Sequence, residues 1–150
     1  MTVNEAIMQV DALKPNMYPA SRKVEWLNQL DGMLYQDVIL THEDGDPGMP
    51  CSRVAPCGIV PRGWCGMAQR GERPPFVPYD PDGDLSDTLI VPFPYDTVYR
   101  FWLESQIDLA NAEMAKYNVS AALYNQALLE YQGWYNRNHR PISRVMGIRL

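Results

Sequence analysis

The residues best suited to chemistry are His42, Cys51, Cys57 and Cys65, four potential ligands for a tetrahedral zinc ion within one stretch of chain. Eight, five and seven residues separate them, so none forms the close Cys-x-x-Cys pair that pre-shapes such a site. The cysteines are therefore read as free thiols in a reducing compartment, with a small zinc module or a Cys51–Cys57 disulfide as the weaker alternatives. Glu43, Asp44 and Asp46, and then Asp80, Asp82, Asp84 and Asp87, carry oxygens of the kind calcium takes. The run Asp80-Pro81-Asp82-Gly83-Asp84 lacks the downstream bidentate glutamate of a calcium loop, and its composition is that of a solvated turn. No metal and no cofactor is expected.

Nucleophilic catalysis needs a Ser or Cys displayed on a turn with a His to activate it. His42 stands in an acidic stretch and His139 in a basic one, and neither suggests a triad. Gly63 and Gly66 are isolated in Pro-rich chain and do not build a phosphate loop. No enzymatic activity is expected. Tyr117, Tyr124, Tyr131 and Tyr135 would stack nucleic-acid bases only inside a positively charged groove. Glu104, Asp108, Glu113 and Glu130 outnumber Lys116 around them, and a formal charge of −5 argues against gripping phosphates. The tyrosines are read as packing residues.

The elements that must hold these side chains follow from periodicity and breakers. Thr2-Val3-Asn4-Glu5 has the form of a capping box, and Val3, Ile7, Val10 and Leu13 fall on one helical face before Pro15 stops the segment. Ser21 is placed to cap a second helix with Val24, Leu27, Leu30, Leu34 and Val38 inward, so residues 3–40 form a helical hairpin. Residues 41–95 hold ten of the thirteen prolines and seven of the ten glycines, which excludes regular helix over most of that span. An extended arm is expected there, with short strands at Ile59-Val60 or Leu89-Ile90-Val91.

From Asp96, a candidate cap, to Asn138 no proline intervenes, and Leu103, Ile107, Met114, Tyr117, Tyr124, Leu128, Tyr131 and Tyr135 repeat at spacings built from three and four. That seam predicts one long helix of about 60 Å, with a kink at Asn118-Val119-Ser120 as the alternative to a continuous rod. Such a length outsizes a domain of this mass and points to contacts with neighbouring chains. Residues 139–150 follow as an extended tail. Arg137, His139, Arg140, Arg144 and Arg149, interleaved with Ile148 and Leu150, give it the character of a basic docking peptide. The fold class is thus mainly α, a single domain over residues 1–150. No stretch approaches the roughly 20 apolar residues that span a bilayer, and the N-terminal segment lacks a leader pattern, so a chain made in the cytoplasm is expected.

Phe76-Val77-Pro78-Tyr79, Leu89-Ile90-Val91-Pro92, Leu103-Glu104-Ser105-Gln106-Ile107-Asp108, Asn111-Ala112-Glu113, Lys116-Tyr117-Asn118 and Tyr135-Asn136-Arg137-Asn138-His139-Arg140-Pro141 together resemble the head-to-tail adaptor, or connector, proteins of tailed bacteriophages and prophages. Asn4-Glu5-Ala6, Asp11 to Asn16 and Leu30-Asp31-Gly32 extend the likeness, and residues 44–75 depart from it. The resemblance implies a virion protein of the phage neck. It would form a ring of its own copies, commonly twelve, beneath the portal, around a channel through which DNA passes without specific binding. The portal, reached by the tail, and a tail or neck protein are the implied partners. Another neck or head-completion component, or a coiled-coil assembly protein, is the alternative.

Overall fold

The capping box forms as its residues dictate. In the computed structural model, which describes residues 1–42, 75–83 and 85–141, the Glu5 amide donates to Thr2 Oγ1 at 3.2 Å and the Thr2 amide to Glu5 Oε2 at 2.8 Å. Helix α1, Val3–Leu13, starts there and buries Val3, Ala6, Ile7 and Val10. Leu13, expected on the same face, is 61% exposed. At 100° per residue it stands about 60° off Val10, on the flank of the buried stripe.

Helix α2, Ala20–Asp37, begins one residue before the expected cap; Pro19 takes the cap position and no side chain closes it. Its predicted inward residues Val24, Leu27, Leu30, Leu34 and Val38 are all buried. A short 3-10 turn, Ile39–Thr41, leads to His42.

The long helix is not continuous. Helix α3 spans Thr97–Ala110 and helix α4 spans Met114–Asn138. Asp96 is the residue before α3, as expected, but makes no side-chain cap bond. The break falls at Asn111-Ala112-Glu113, and the predicted kink site Asn118–Ser120 lies inside α4. At the break Ala112 adopts φ 57°, its amide donates to the Leu109 carbonyl at 3.0 Å, and the Glu113 amide donates to the Asp108 carbonyl at 2.9 Å. This pair of bonds is the Schellman ending, with an alanine where glycine is usual. A straight rod would leave its seam uncovered. Folding it in two brings the halves together as an antiparallel hairpin, in which Asp108 meets Ser120, Trp102 meets Tyr124 and Tyr95 meets Tyr131.

Helices α1 and α2 lie against α3, and the indole of Trp102 donates to the Trp26 carbonyl at 2.8 Å. Leu27, Leu30, Val98, Tyr99, Leu103 and Ile107 form the centre of the core among the described residues. Among the described residues there is no strand. In place of the expected Leu89–Val91 strand, the preceding residue Thr88 makes one antiparallel bridge to Thr2, flanked by the Leu89 amide on the Met1 carbonyl and the Val3 amide on the Asp87 carbonyl. Ile59-Val60 lies outside the described residues. A second bridge joins His42 to Pro141, so the ends of α2 and α4 are tied side by side. No described helix is long and apolar enough to cross a membrane.

Candidate assembly surface

The predicted seam divides between interior and surface once the helix folds. Leu103 and Ile107 on α3 and Tyr131 and Tyr135 on α4 are buried. Tyr124 and Leu128 are half-buried against the same core, Tyr124 packing on Trp102 at 5.0 Å between ring centres. Tyr117 is half-buried and Met114 is 55% exposed. Burial pushes the Tyr124 and Tyr131 phenols up, which suits rings used for packing. Most of the seam is therefore intramolecular.

The outer side of α4 is unusual for a surface helix. Only Lys116, Glu130 and Arg137 carry charge among its 25 residues. Ala115, Val119, Ala122, Gln126, Leu129 and Gly133 recur at spacings of four and three, opposite the buried band. Val119 is 62% exposed, Leu129 67% and Leu123 41%. A helix that is apolar on two sides normally has something packed on both.

Where this face meets α3 there is a groove of about 390 Å³ lined by Lys14, Glu104, Asp108, Ala115, Lys116, Val119, Ser120 and Leu123. Its polar floor is internally matched: Asp108, buried, accepts from the Lys14 ammonium and, at 2.9 Å, from the Ser120 hydroxyl. Asp108 is thus a buried tether between the end of α1 and the hairpin. Lys116 bonds Glu113 at 2.9 Å, which raises its pKa. Val119, Leu123 and Ala115 form the apolar wall, and Glu104 stands on the α3 rim.

The basic end is built on the last turn of α4. His139 lies flat on Tyr135, ring centres 3.9 Å apart and 9° from parallel, and its Nδ1 is 3.2 Å from the Tyr135 carbonyl. His42, expected in an acidic loop, is buried with its ring edge-on to the same tyrosine at 5.0 Å, and its Nδ1 is 2.7 Å from the Val38 carbonyl. Each histidine thus closes the end of a helix. Arg137 and Arg140 are exposed beside them. Arg144, Ile148, Arg149 and Leu150 lie outside the described residues, as do Cys51, Cys57 and Cys65.

Asp31 is fully buried on the apolar face of α2, four residues after Leu27 and three before Leu34. Tyr79 and Tyr99 donate their hydroxyls to it at 2.5 and 2.6 Å, and the Ile90 amide at 3.4 Å. Tyr99 in turn accepts from the Val91 amide at 2.8 Å. Asn28 adds two bonds to the Tyr79 backbone, at 2.7 and 2.9 Å. Burial outweighs these hydrogen bonds and holds the Asp31 carboxyl above the usual carboxylate range; burial and the facing carboxylate push both phenols up. A carboxylate on an otherwise apolar stripe must have partners, and here they are Tyr79, Ile90 and, from α3, Tyr99. Lys23, also buried on α2, is satisfied in the same way by Asp11 at 2.6 Å. Among the described residues no group of three or more metal-ligating side chains comes together.

The chain was compared with family models, with curated proteins and with solved structures, and none of them matched.

Proposed function

We propose that this chain is a structural subunit of the neck of a tailed phage, a head-to-tail adaptor that assembles as a ring between the portal and the tail around the DNA channel. The reading stands on the residue pattern shared with such adaptors. The single structural observation that supports it is the outer side of α4. This is a long, nearly uncharged helix face whose Val119, Leu123 and Leu129 remain exposed while the opposite side of the same helix fills the core. In a ring, contacts are head-to-tail, so this face meets a different surface of the next copy. The basic end at Arg137, His139 and Arg140 is the surface offered to the portal, and the net charge of −5 suits a channel that lets DNA slide. The heptad-like spacing from Ala115 to Gly133 also favours a second reading, a coiled-coil assembly protein or another neck component, because it is the pattern of helix-on-helix packing.

Negative-stain imaging of the purified protein, alone and mixed with portal, tests the proposal. Closed rings, alone or seated on the portal vertex, are the expected result. Particles that stay monomeric at every concentration and do not join the portal would overturn it.

A further inference from the structure

We infer that two copies of this chain pair in solution through the outer side of α4, antiparallel and related by a two-fold axis at the level of Tyr124, with Lys116 of each copy against Glu130 of the other. The inference goes beyond the adaptor reading and does not depend on it. It describes free chains, and it covers the face that a ring would use, so pairing and ring closure compete.

Spacing makes the first argument. Ala115, Val119, Ala122, Gln126, Leu129 and Gly133 follow one another at alternating intervals of four and three, a band that reads the same from either end. Turned end over end about Tyr124, the band meets itself position for position. Ala115 comes opposite Gly133 of the second copy, Val119 opposite Leu129, and Ala122 opposite Gln126. Small residues thus face each other at the ends of the contact, and the two largest apolar side chains of the band, 62% and 67% exposed in one chain, face each other between them. Gln126 lies against a small residue and already gives its amide to Glu130 of its own chain at 3.2 Å, so it does not enter the contact unpartnered. Ala115, Lys116, Val119 and Leu123 are also the α4 wall of the groove, which residues 125–133 of the second copy then close.

Charge makes the second argument and fixes the direction. At 100° per residue Lys116, Leu123 and Glu130 lie on one flank of the band, and Asn118, Asn125 and Asn136 on the other. An antiparallel two-fold pair brings like flanks together. Lys116 is then level with Gln132 of the second copy, about 3 Å along the axis from Glu130 and within side-chain reach of it. Symmetry makes that ion pair twice. The two Leu123 side chains, each 41% exposed, meet beside the axis, and the opposite flank joins asparagines to asparagines. A parallel pair would join unlike flanks and set Lys116 and Glu130 against amides, with no ion pair between the copies. The bond from Lys116 to Glu113 in its own chain lies between exposed groups and is readily exchanged.

The test uses the full chain carrying Cys51→Ser, Cys57→Ser and Cys65→Ser, with Val119→Cys added in one preparation and Leu129→Cys in another. Under mild oxidation the mixture should form the 119–129 disulfide dimer about tenfold faster than either preparation links to itself, because only opposed positions meet disulfide geometry. A second measurement keeps the native cysteines. In sedimentation equilibrium Lys116→Glu should weaken the dimer about 3- to 10-fold, the weight of two exposed ion pairs, and Lys116→Glu combined with Glu130→Lys should restore it. A chain that stays monomeric at every concentration, self-links that form as fast as the mixed one, or a dimer indifferent to both charge changes would overturn the inference. The 119–129 link in a protein that forms no ring would support the pairing while defeating the adaptor reading. Rings from a chain that never gives this link would do the reverse.

Discussion

The two sides of α4 carry similar residues and meet different fates. On the inner side Ala127, Tyr131 and Tyr135 are buried, and each polar group that goes in with them finds a partner, as Ser120 does on Asp108. On the outer side Val119, Leu123 and Leu129 stand among alanines and amides with hardly a charge. Folding of the monomer explains the first side completely. The second contributes little to that folding, so its composition is better explained by what the helix does after it folds. A surface that contributes little to the fold and still carries few charges is the place to look for an interaction.

The largest effect that would sharpen this contrast comes from the inner side. Tyr131→Ala removes a ring that is 1% exposed and packs against Tyr95, Trp134 and Tyr135. A loss of about 3–5 kcal/mol in unfolding free energy is expected, as for other large-to-small aromatic changes in a core. Chemical denaturation measures it. A loss below about 1 kcal/mol would mean that the two sides are equivalent and that the hairpin is not what stabilises α4.

Next in size is the carboxylate under Tyr79 and Tyr99. Asp31→Asn keeps the shape but turns one acceptor into a donor facing the Ile90 amide, at an expected cost of about 1–3 kcal/mol near pH 4. The pH dependence has a definite sign. Burial raises the folded-state pKa of Asp31 above its unfolded value, so its contribution is fullest below the ordinary carboxylate range and is lost as pH rises through the raised value. The gap between wild type and Asp31→Asn should therefore narrow from pH 4 to pH 7. Denaturation midpoints across that range decide it, and a gap that widens with pH would show that hydrogen bonding, not burial, governs this carboxyl.

A smaller and opposite change is expected at the turn that creates the two sides. Ala112 has φ 57°, where a side chain costs roughly 1 kcal/mol relative to glycine. Ala112→Gly should raise stability by about 0.5–1 kcal/mol, and thermal unfolding would detect a rise of a few degrees. Unchanged or lowered stability would mean that the hairpin turn is not where the strain lies.

That alanine also explains how far the sequence could be read. Elements with a local chemical signal were readable: the Thr2–Glu5 box, the stop at Pro15 and the five inward residues of α2 all appear where their types and spacing put them. The break between α3 and α4 was not, because its usual marker is glycine and the three-four spacing runs through it undisturbed. Periodicity reports which residues share a face, and it is blind to whether that face meets a neighbour or the chain's own other half. The same blindness applied to Asp31, whose position on the apolar stripe was visible but whose partners lie 48 and 68 residues away. For the surface, the seam residues point to α4, while the exposed band on its far side, from Ala115 to Gly133, gives only the weak hydrophobic signal of small and amide residues.

The smallest effect on folding is the one that bears most on function. Leu129 is 67% exposed, so Leu129→Lys should change unfolding free energy by no more than about 0.5 kcal/mol, within the range of ordinary surface substitutions. If α4's outer side packs on another copy, the same change buries an ammonium against an apolar partner, at a cost of several kcal/mol per contact. Because a ring repeats that contact around its circumference, the penalty multiplies, and assembly should fail outright while the monomer unfolds at its normal midpoint. Sedimentation and denaturation on one preparation separate the two quantities. A Leu129→Lys protein that assembles like wild type would remove the distinction between the sides of α4, since the outer face would then be ordinary solvent-facing surface.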